Sequence, residues 1–280
     1  MKVSGIITLT TDFGLKDAYV GVMKGVILSI NMKARIIDIS HRIEPGSVGQ
    51  AGGIISEAYP FFPNGTIHVA VVDPGVGGER RPIIVVSNGH LFVGPDNGLF
   101  WSIISSDPKA GTVHLTRPEY FLPHPRNTFH GRDIFAPVAA YLSSGMDPLE
   151  MGPGISDPLP LRAPIPRRTE NVLSGQVIRV DHFGNLITNI LKKDIKSFLR
   201  GGRPEIRLKH LVIKGMLKTY SETGRGGLLA LIGSSGYLEI AVNLGRASDR
   251  LGDAKIVGLE VEISRILKLK GESSKLKGER

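Results

Sequence analysis

Short apolar runs alternate with segments of helical periodicity through the first half of the chain. The apolar runs, each of which predicts a buried strand, are Ile6–Thr10, Arg35–Ile39, Thr66–Val72, Pro82–Ser87 and Leu91–Val93. Apolar residues recur at every fourth position of Asp17–Ile30, which predicts a helix, and Ser47 is suited to cap a second helix ending at Tyr59. A further helix, Asp133–Leu142, must begin or kink near Pro137. This alternation predicts an α/β fold with an open, mainly parallel sheet flanked by helices.

The pattern changes in the second half. Residues 152–168 are rich in proline and glycine, which is typical of an extended linker. Beyond them, glycine-rich turns separate apolar runs that predict strands at Ser174–Val180, Leu186–Asn189, Glu205–Leu208, Leu228–Ile232, Tyr237–Val242 and Lys255–Ile263. Short strands without helices between them predict an antiparallel β-barrel. We therefore expect an α/β domain over residues 1–165 and a barrel domain over residues 172–266.

Composition narrows the functional classes. The 280 residues include no cysteine, which excludes disulfides and thiolate chemistry, and no apolar run reaches the ~20 residues that span a bilayer. Asp12 comes too early for a signal peptide, so we expect a cytoplasmic protein. The net charge of +9 would suit nucleic acid, but residues 267–280 supply +3 of it, and the basic stretch Lys192–Lys214 is not interleaved with aromatic residues. We expect a disordered tail and no nucleic-acid or membrane partner.

Polar residues follow several of the predicted strands, at the positions where open α/β sheets bind ligands. Glycine-rich nucleotide motifs and the zinc motif H-E-x-x-H are absent from the sequence. Asp12 ends the first strand and Asp17 opens the following helix, so two carboxylates could accept hydrogen bonds from a ribose diol. Alternatively, Asp12 caps a turn and Asp17 complements the helix dipole.

Three further side chains stand in comparable positions. Asp73 ends an apolar strand, and the glycine-rich loop after it returns Arg80 toward the same edge. His130 precedes a predicted helix and is followed by Gly131, which permits close approach. Each motif also has a structural explanation, as a glycine turn with a solvated arginine or as a buried structural histidine. Taken singly, these motifs do not identify a function.

In the barrel domain, Asp181, Phe183 and Asn185 alternate around a glycine in VDHFGNLITN. An adenine needs an aromatic ring for stacking and polar groups for hydrogen bonds along its edge, and this segment supplies both. The same residues would also form an ordinary β-turn. Ser234 lies in a serine pair at a glycine turn, where serine is common without a binding role.

Together and in order, the motifs resemble those of the S-adenosyl-L-methionine hydroxide adenosyltransferases, the non-halogenating relatives of fluorinase and chlorinase. Between residues 6 and 263 the motifs are TTDFGLKDAYVGVMKG, DISHRI, VAVVDPGVGGERR, GPDNGL, TFHGRDIFAP, DHFGNLITN and SSGYLEIAVN. The resemblance implies an α/β domain followed by a β-barrel domain, and a homotrimer that holds its substrate between neighbouring subunits. It also implies hydrolysis of S-adenosyl-L-methionine (SAM) to adenosine and L-methionine, without a cofactor or a metal.

The resemblance implies roles for individual residues. Asp73, Arg80 and His130 would activate a water molecule that attacks ribose C5′. The residues that it implies for substrate binding are Asp12, Asp17, Phe129, Asp181, Phe183, Asn185, Ser234 and Asn243. Halogenases have serine where this chain has Gly131 and a long insertion where it has the short turn Ser87–His90. Both differences favour water over halide as the nucleophile.

Two protonation states of His130 are compatible with this chemistry. A protonated His130 would stabilise hydroxide together with Arg80, whereas a neutral His130 would accept a proton from water during attack. Three other functions stay open on the sequence. They are a hydrolase whose metal is held by Asp12, Asp73, His41 and His130, a protein that binds an adenosyl ligand without turnover, and a nucleic-acid binder. A chelator, product analysis and salt dependence distinguish them.

Overall fold

The structure of the chain is a computed structural model that describes residues 2–161, 164–252 and 255–266. It divides into two compact units, Met1–Ala163 and Pro164–Arg280. The sequence pattern predicts the change of domain between residues 165 and 172. The basic segment 267–280, for which we predict disorder, lies outside the described residues. Among the residues described, no helix is long and apolar enough to cross a bilayer.

The first unit is an α/β fold built on a seven-stranded sheet. Its strands are β1 (Ile6–Thr11), β2 (Arg35–Ser40), β3 (Ile67–Val71), β4 (Pro82–Ser87), β5 (His90–Pro95), β6 (Gly111–His114) and β7 (Gly154–Ile155). They lie in the order β2-β1-β3-β5-β4-β6-β7. The pairs among β2, β1, β3 and β5 are parallel, and β4, β6 and β7 join by antiparallel pairs. The predicted α/β class is confirmed.

Helices cover both faces of this sheet. They are α1 (Tyr19–Ile30), α2 (Val48–Ala58), α3 (Trp101–Ser106) and α4 (Ala136–Ser143), and a π-helix, Gly131–Phe135, leads into α4. Single 3₁₀ turns lie at Tyr59–Phe61, Pro118–Tyr120 and Pro148–Met151. α1 and α4 bury Met23 and Val138 against one face, and α2 and α3 bury Ile55 and Ile103 against the other. Each helix thus places its apolar stripe on the strands.

The sequence pattern locates most elements of this unit to within two residues. The strand Pro82–Ser87 has the predicted bounds. The α-helix that contains Pro137 begins one residue before it, because proline lacks the N–H that an interior helical position needs. The linker prediction for 152–168 is wrong in part. Gly154–Ile155 pairs with a strand of the first sheet, and Arg167–Arg168 pairs with a strand of the second unit.

The second unit is an antiparallel sheet that curls into a nearly closed barrel. Its strands are β8 (Arg167–Arg168), β9 (Val172–Val180), β10 (Leu186–Leu191), β11 (Arg203–Leu208), β12 (Leu211–Lys214), β13 (Leu228–Ile232), β14 (Tyr237–Val242) and β15 (Glu260–Ile266). They lie in the order β12-β11-β15-β9-β10-β14-β13, with the short β8 paired to β9. The predicted antiparallel barrel is confirmed.

Buried apolar side chains of these strands form the core of the second unit. One helix, α5 (Lys192–Leu199), packs on that core through Ile195 and Phe198, where the sequence pattern predicts none. Two helical turns are too short for their periodicity to stand out in the sequence. Single 3₁₀ turns lie at Tyr220–Glu222 and Ser248–Leu251. The final strand begins at Glu260 rather than at the predicted Lys255.

Candidate active site

Two aspartates from neighbouring parallel strands define the candidate site. Asp12 directly follows β1, and Asp73 comes two residues after the end of β3. Because β1 and β3 are adjacent and parallel, their carboxyl ends lie at the same edge of the sheet. A cavity of about 430 Å³ lies there, and its lining includes Asp12, Asp73, Phe129 and His130. The structure thus brings together four of the residues that the sequence analysis singles out.

Arg80 connects the two polar groups of the cavity wall. Its Nε donates hydrogen bonds to both carboxylate oxygens of Asp73, at 3.0 and 2.9 Å, and its Nη2 donates to Oδ2. Nη2 also lies 2.7 Å from His130 Nδ1. The Arg80 side chain is 8% exposed and that of Asp73 is 4% exposed, so this ion pair is shielded from water. Arg80 is not among the described residues that line the cavity, and its contacts reach the cavity through Asp73 and His130.

Local backbone features bring these side chains together. Gly77 has φ +79°, and a Cβ built on it would lie 2.3 Å from the backbone oxygen of Asn127. Only glycine therefore lets the loop after β3 pack directly on the segment before His130. His130 stands at the start of the π-helix Gly131–Phe135, and such turns are frequent at functional sites. Asp133 in that turn accepts a backbone hydrogen bond of 2.8 Å from the preceding segment and fixes it.

The contacts of His130 decide its protonation state. A guanidinium can only donate, so Nδ1 accepts the hydrogen bond from Arg80, and the ring hydrogen is assigned to Nε2. Burial lowers the pKa of His130 below its ordinary value, and the Arg80 charge lowers it further, although Asp73 opposes them. Geometry and pKa both favour the neutral imidazole. Of the two protonation states that the sequence leaves open, the structure supports this one.

Asp12 faces the same cavity and is held by a neighbouring loop. Its Oδ2 accepts a hydrogen bond of 2.8 Å from the N–H of Gly46, which leaves Oδ1 to accept from a ligand. Beside it, the rings of Phe13, Tyr19 and Phe129 pack edge to face with centroids 5.3 to 5.8 Å apart. The cavity therefore combines a carboxylate with an apolar aromatic wall.

The structure does not place Asp17 in the first cavity, and it does not place His41 as a metal ligand there. Asp17 is exposed, precedes α1, and is not among the described residues that line the cavity. His41, a ligand in the metal alternative, lies 2.9 Å from the hydroxyl of Thr11 and 3.1 Å from Asp38 Oδ1. Within 2–161, 164–252 and 255–266, no group of three or more histidine, aspartate or glutamate side chains is placed to hold a metal ion.

The five residues predicted for binding in the barrel domain line a second cavity. It measures about 780 Å³, and its lining includes Asp181, Phe183, Asn185, Ser234 and Asn243. Asp181 accepts hydrogen bonds from the backbone N–H of Asn185 at 2.8 Å and from its Nδ2 at 2.9 Å. This turn orients Asn185 and leaves its Oδ1 as an acceptor. Phe183 is 69% exposed, so its aromatic ring is accessible for stacking.

Comparison with known proteins assigns the chain to a family. The family model described as SAM hydroxide adenosyltransferase N-terminal domain matches residues 7–152, and the one for the C-terminal domain matches residues 175–255. The chain belongs to the SAM hydroxide adenosyltransferase family. It is 36% identical to an (R)-S-adenosyl-L-methionine hydrolase from Salinispora arenicola, over 88% of this chain and 93% of that one. It is 38% identical to a hydrolase of the same name from Methanocaldococcus jannaschii, over 88% of this chain and 91% of that one.

Other relatives of this chain are consistent with the assignment. A fluorinase from Actinoplanes sp. is 27% identical over 85% of this chain and 91% of its own length. The crystal structure of an uncharacterized conserved protein from Thermotoga maritima matches with a TM-score of 0.84 at 38% identity, covering 92% of this chain and 100% of that one. The resemblance inferred from the sequence motifs is therefore confirmed.

Close packing surrounds Gly131. A Cβ built on it would lie 3.3 Å from Met23 Sδ and 3.3 Å from Cε2 of both Phe13 and Phe129. Contacts this short require the neighbouring side chains to shift, because protein interiors are close-packed. The aromatic wall thus fills the space beside the position where the halogenase resemblance implies a serine.

The barrel domain of this family member also contains a polar pair that the sequence analysis missed. Glu239 in β14 is 5% exposed and accepts a hydrogen bond of 2.5 Å from the hydroxyl of Tyr220, and both line the second cavity. Burial raises the pKa of Glu239, the bond from Tyr220 opposes this, and nearby Asp181 raises it further. The available signal was a carboxylate within the apolar run Tyr237–Val242, since glutamate is rarely buried without a partner.

Proposed function

We propose that the chain hydrolyses SAM to adenosine and L-methionine. The observation that carries the proposal is the buried contact of Arg80 with both Asp73 and His130, beside a cavity that also presents Asp12. Membership of the hydroxide adenosyltransferase family supports it, as does similarity to two (R)-S-adenosyl-L-methionine hydrolases, which are 36% and 38% identical to the chain.

The reaction is a displacement at ribose C5′. The oxygen of water forms a bond to C5′ while the C5′–S bond breaks, and the bonding electron pair moves to the sulfonium sulfur. Methionine leaves as a neutral thioether, so the leaving group needs no general acid. The attacking oxygen becomes strongly acidic as its bond to carbon forms, and its proton must pass to a base.

Asp73 accepts that proton, and His130 orients the water instead of acting as the base, the role that the sequence leaves open for its neutral form. With its hydrogen on Nε2, neutral His130 can donate to the water oxygen but cannot accept a proton at that atom. The Asp73 carboxylate lines the cavity and retains lone pairs beyond those that Arg80 uses. A carboxylate is basic enough, because the proton leaves an oxygen already bonded to carbon rather than free water. Arg80 holds both groups, so the three act as a unit.

The remaining residues bind the substrate. Asp12 accepts hydrogen bonds from the ribose hydroxyls, since a carboxylate is an acceptor for both groups of a diol. Phe129 and the aromatic wall exclude bulk water around C5′, which strengthens the interactions of the buried charges. The purine and the methionine moiety are bound by the five predicted residues of the second cavity.

Some parts of the proposal rest on the family resemblance alone. The protein is a homotrimer that holds SAM between neighbouring subunits, and it works in the cytoplasm without a metal or a cofactor. Light scattering in solution tests the assembly, and a monomeric mass would contradict it.

Turnover after dialysis against a chelator tests whether the reaction needs a metal. If activity disappears and an added metal restores it, the proposal of a metal-free reaction is wrong.

Incubation with SAM in water enriched in heavy oxygen tests the reaction itself. We expect adenosine and methionine in equal amounts, with the label in the 5′ hydroxyl of adenosine. The same incubation with Asp73→Asn should give little of either product, which controls for a contaminating hydrolase. SAM recovered intact from the wild-type protein would instead identify a binding protein without turnover, and unlabelled adenosine would exclude attack by water at C5′.

A further inference from the structure

We propose that His41 is a positioning residue for Asp12, acting from behind the cavity. The inference rests on the proposed role of Asp12 in binding the ribose hydroxyls. His41 directly follows β2, is 4% exposed, and is not among the described residues that line the cavity. A buried histidine outside the cavity can influence the substrate only through the groups that it contacts.

His41 is connected to the strand end that carries Asp12. Its Nδ1 lies 2.9 Å from the hydroxyl of Thr11, which is fully buried and immediately precedes Asp12. The same hydroxyl accepts a hydrogen bond of 3.3 Å from the N–H of Phe13. The backbone oxygen of His41 accepts another, of 2.8 Å, from the N–H of Gly14. These contacts hold the backbone on both sides of Asp12.

A second contact lies on the other side of the His41 ring. Nε2 lies 3.1 Å from Asp38 Oδ1, an ion-pair distance that lacks hydrogen-bond geometry, and Oδ2 of Asp38 accepts a hydrogen bond of 2.6 Å from Lys24. Burial acts to raise the pKa of Asp38, but the neighbouring Lys24 and His41 lower it more, so it stays below its ordinary value. The Asp38 carboxylate can only accept, so the ring hydrogen is assigned to Nε2, which faces it, and Nδ1 then accepts from the Thr11 hydroxyl.

A register shift between β1 and β2 directs His41 toward this position. Consecutive residues of β1, Leu9 and Thr10, pair with Asp38 and Ser40 of β2, so β2 contains one additional residue there. Such a bulge bends the strand and re-aims the side chains that follow it, and bulges are common beside active sites. The shift lies just before His41, which contacts Thr11 at the end of β1.

The loop that begins with His41 ends on Asp12 itself. The N–H of Gly46 donates to Asp12 Oδ2 at 2.8 Å, so the loop is attached to this segment at both ends. With Oδ2 held in this way, a small shift of the backbone around Asp12 would move Oδ1 out of hydrogen-bonding range of a ribose hydroxyl. Loss of the His41 ring should therefore weaken ribose recognition while the contacts of Asp73 are retained.

Affinities for adenosine and for 2′,3′-dideoxyadenosine, which lacks both ribose hydroxyls, isolate the contribution of Asp12. The wild-type protein should prefer adenosine, and Asp12→Ala should remove that preference. His41→Gln keeps a polar group near Nε2 but loses the contact with Thr11, so the preference should fall about tenfold. His41→Asn keeps a polar group near Nδ1 and should retain the preference. At saturating SAM, kcat should change less than about threefold in both, because uniform binding affects KM.

Two neighbouring threonines of β1 provide a matched control. Thr10 and Thr11 are both fully buried, but the Thr10 hydroxyl has no hydrogen-bond partner among the described residues. Thr11→Val should reduce the preference for adenosine as His41→Gln does, whereas Thr11→Ser and Thr10→Val should not. This comparison tests whether the contact between Thr11 and His41 is needed even if the His41 variants do not fold. An unchanged preference in Thr11→Val, with a lost preference in Asp12→Ala, overturns the role of His41.

The outcome for Asp12→Ala distinguishes a failure of the inference about His41 from a failure of the proposed function. If that variant keeps the full preference for adenosine, the proposed ribose contact of Asp12 is wrong, whatever the His41 variants do. Thermal unfolding of each variant completes the experiment. A lower melting temperature in His41→Gln with an unchanged adenosine preference would assign His41 a structural role only and overturn the proposal.

Discussion

The two cavities of this chain differ in how their polar groups are held. In the first unit, Asp73 and Arg80 are almost completely buried and paired, and Arg80 also contacts His130, so the charges are fixed before a ligand arrives. In the second unit, Asn185 is oriented by its turn, but the ring of Phe183 is largely exposed. Fixed, buried charges suit reacting atoms because they need no reorganisation. An exposed aromatic ring suits recognition, since it becomes buried only when a ligand binds.

This comparison predicts that substitutions in the first cavity lower kcat, whereas those in the second raise KM. Asp73→Asn should have the largest effect. The amide keeps an oxygen that accepts from Arg80 but cannot take a proton from water, so kcat should fall by about 10³-fold, while SAM binding changes little. Steady-state turnover and equilibrium binding of SAM measure the two quantities.

Asp96→Asn is the matched control for that variant. Asp96 is also buried and paired with an arginine, Arg81, but it is not among the described residues that line the first cavity. We expect its turnover to stay within about threefold of the wild type, as for a substitution outside the site. A comparable loss in both aspartate variants would indicate destabilisation rather than loss of the base.

Arg80→Lys should have the next largest effect, a decrease in kcat of about 10²-fold. A lysine ammonium cannot reach both oxygens of Asp73 and Nδ1 of His130 as the planar guanidinium does. Initial rates at saturating SAM test this. The neighbouring Arg81→Lys is the control, because Arg81 pairs with Asp96 and Asp157 instead. A larger loss in Arg81→Lys would move the role to that residue.

The contrast between these two arginines shows what the sequence could predict. The sequence places Asp12 and Asp73 correctly, because both follow strands whose apolar runs are unmistakable. It also indicates Arg80 rather than Arg81, through the glycine-rich loop and the family motif, but it could not predict that one guanidinium contacts both Asp73 and His130. That double contact depends on the path of the glycine-rich loop, including the close approach of Gly77 to the segment before His130. Loop conformation of this kind has no periodic signal.

The same reasoning explains the elements that were missed. The strand Pro82–Ser87, with four consecutive apolar residues, has the predicted bounds, whereas the short strands Gly111–His114 and Gly154–Ile155 are not predicted. The pairing of Tyr220 with Glu239 joins two segments far apart in the sequence, so only the folded barrel brings them together. Tertiary contacts decide such features, and local patterns do not encode them.

The acid side of the pH profile should show a smaller effect that is specific to the first cavity. Burial, and then the Arg80 charge, hold the pKa of His130 below its ordinary value of 6.5. Because the neutral form is active, kcat should be constant down to that lowered pKa and then fall about tenfold for each further pH unit. Protonation at Nδ1 removes the acceptor that Arg80 needs. His130→Asn keeps an acceptor for Arg80 but cannot titrate. Its turnover should be lower than that of the wild type and should not show the decrease in kcat at acid pH. A midpoint above 6.5 would contradict the assignment.

Phe183→Leu in the second cavity should have the smallest effect. It tests whether a substitution in that cavity changes KM rather than kcat. Leucine keeps apolar area but has no ring face, so KM for SAM should rise about fivefold, in line with the value of stacking a base on an aromatic ring, while kcat stays unchanged. Phe61→Leu is the control, since Phe61 is 88% exposed and is not among the described residues that line either cavity. If Phe183→Leu instead lowers kcat at constant KM, the ring contributes to the transition state, and the division between a reacting cavity and a recognition cavity is wrong.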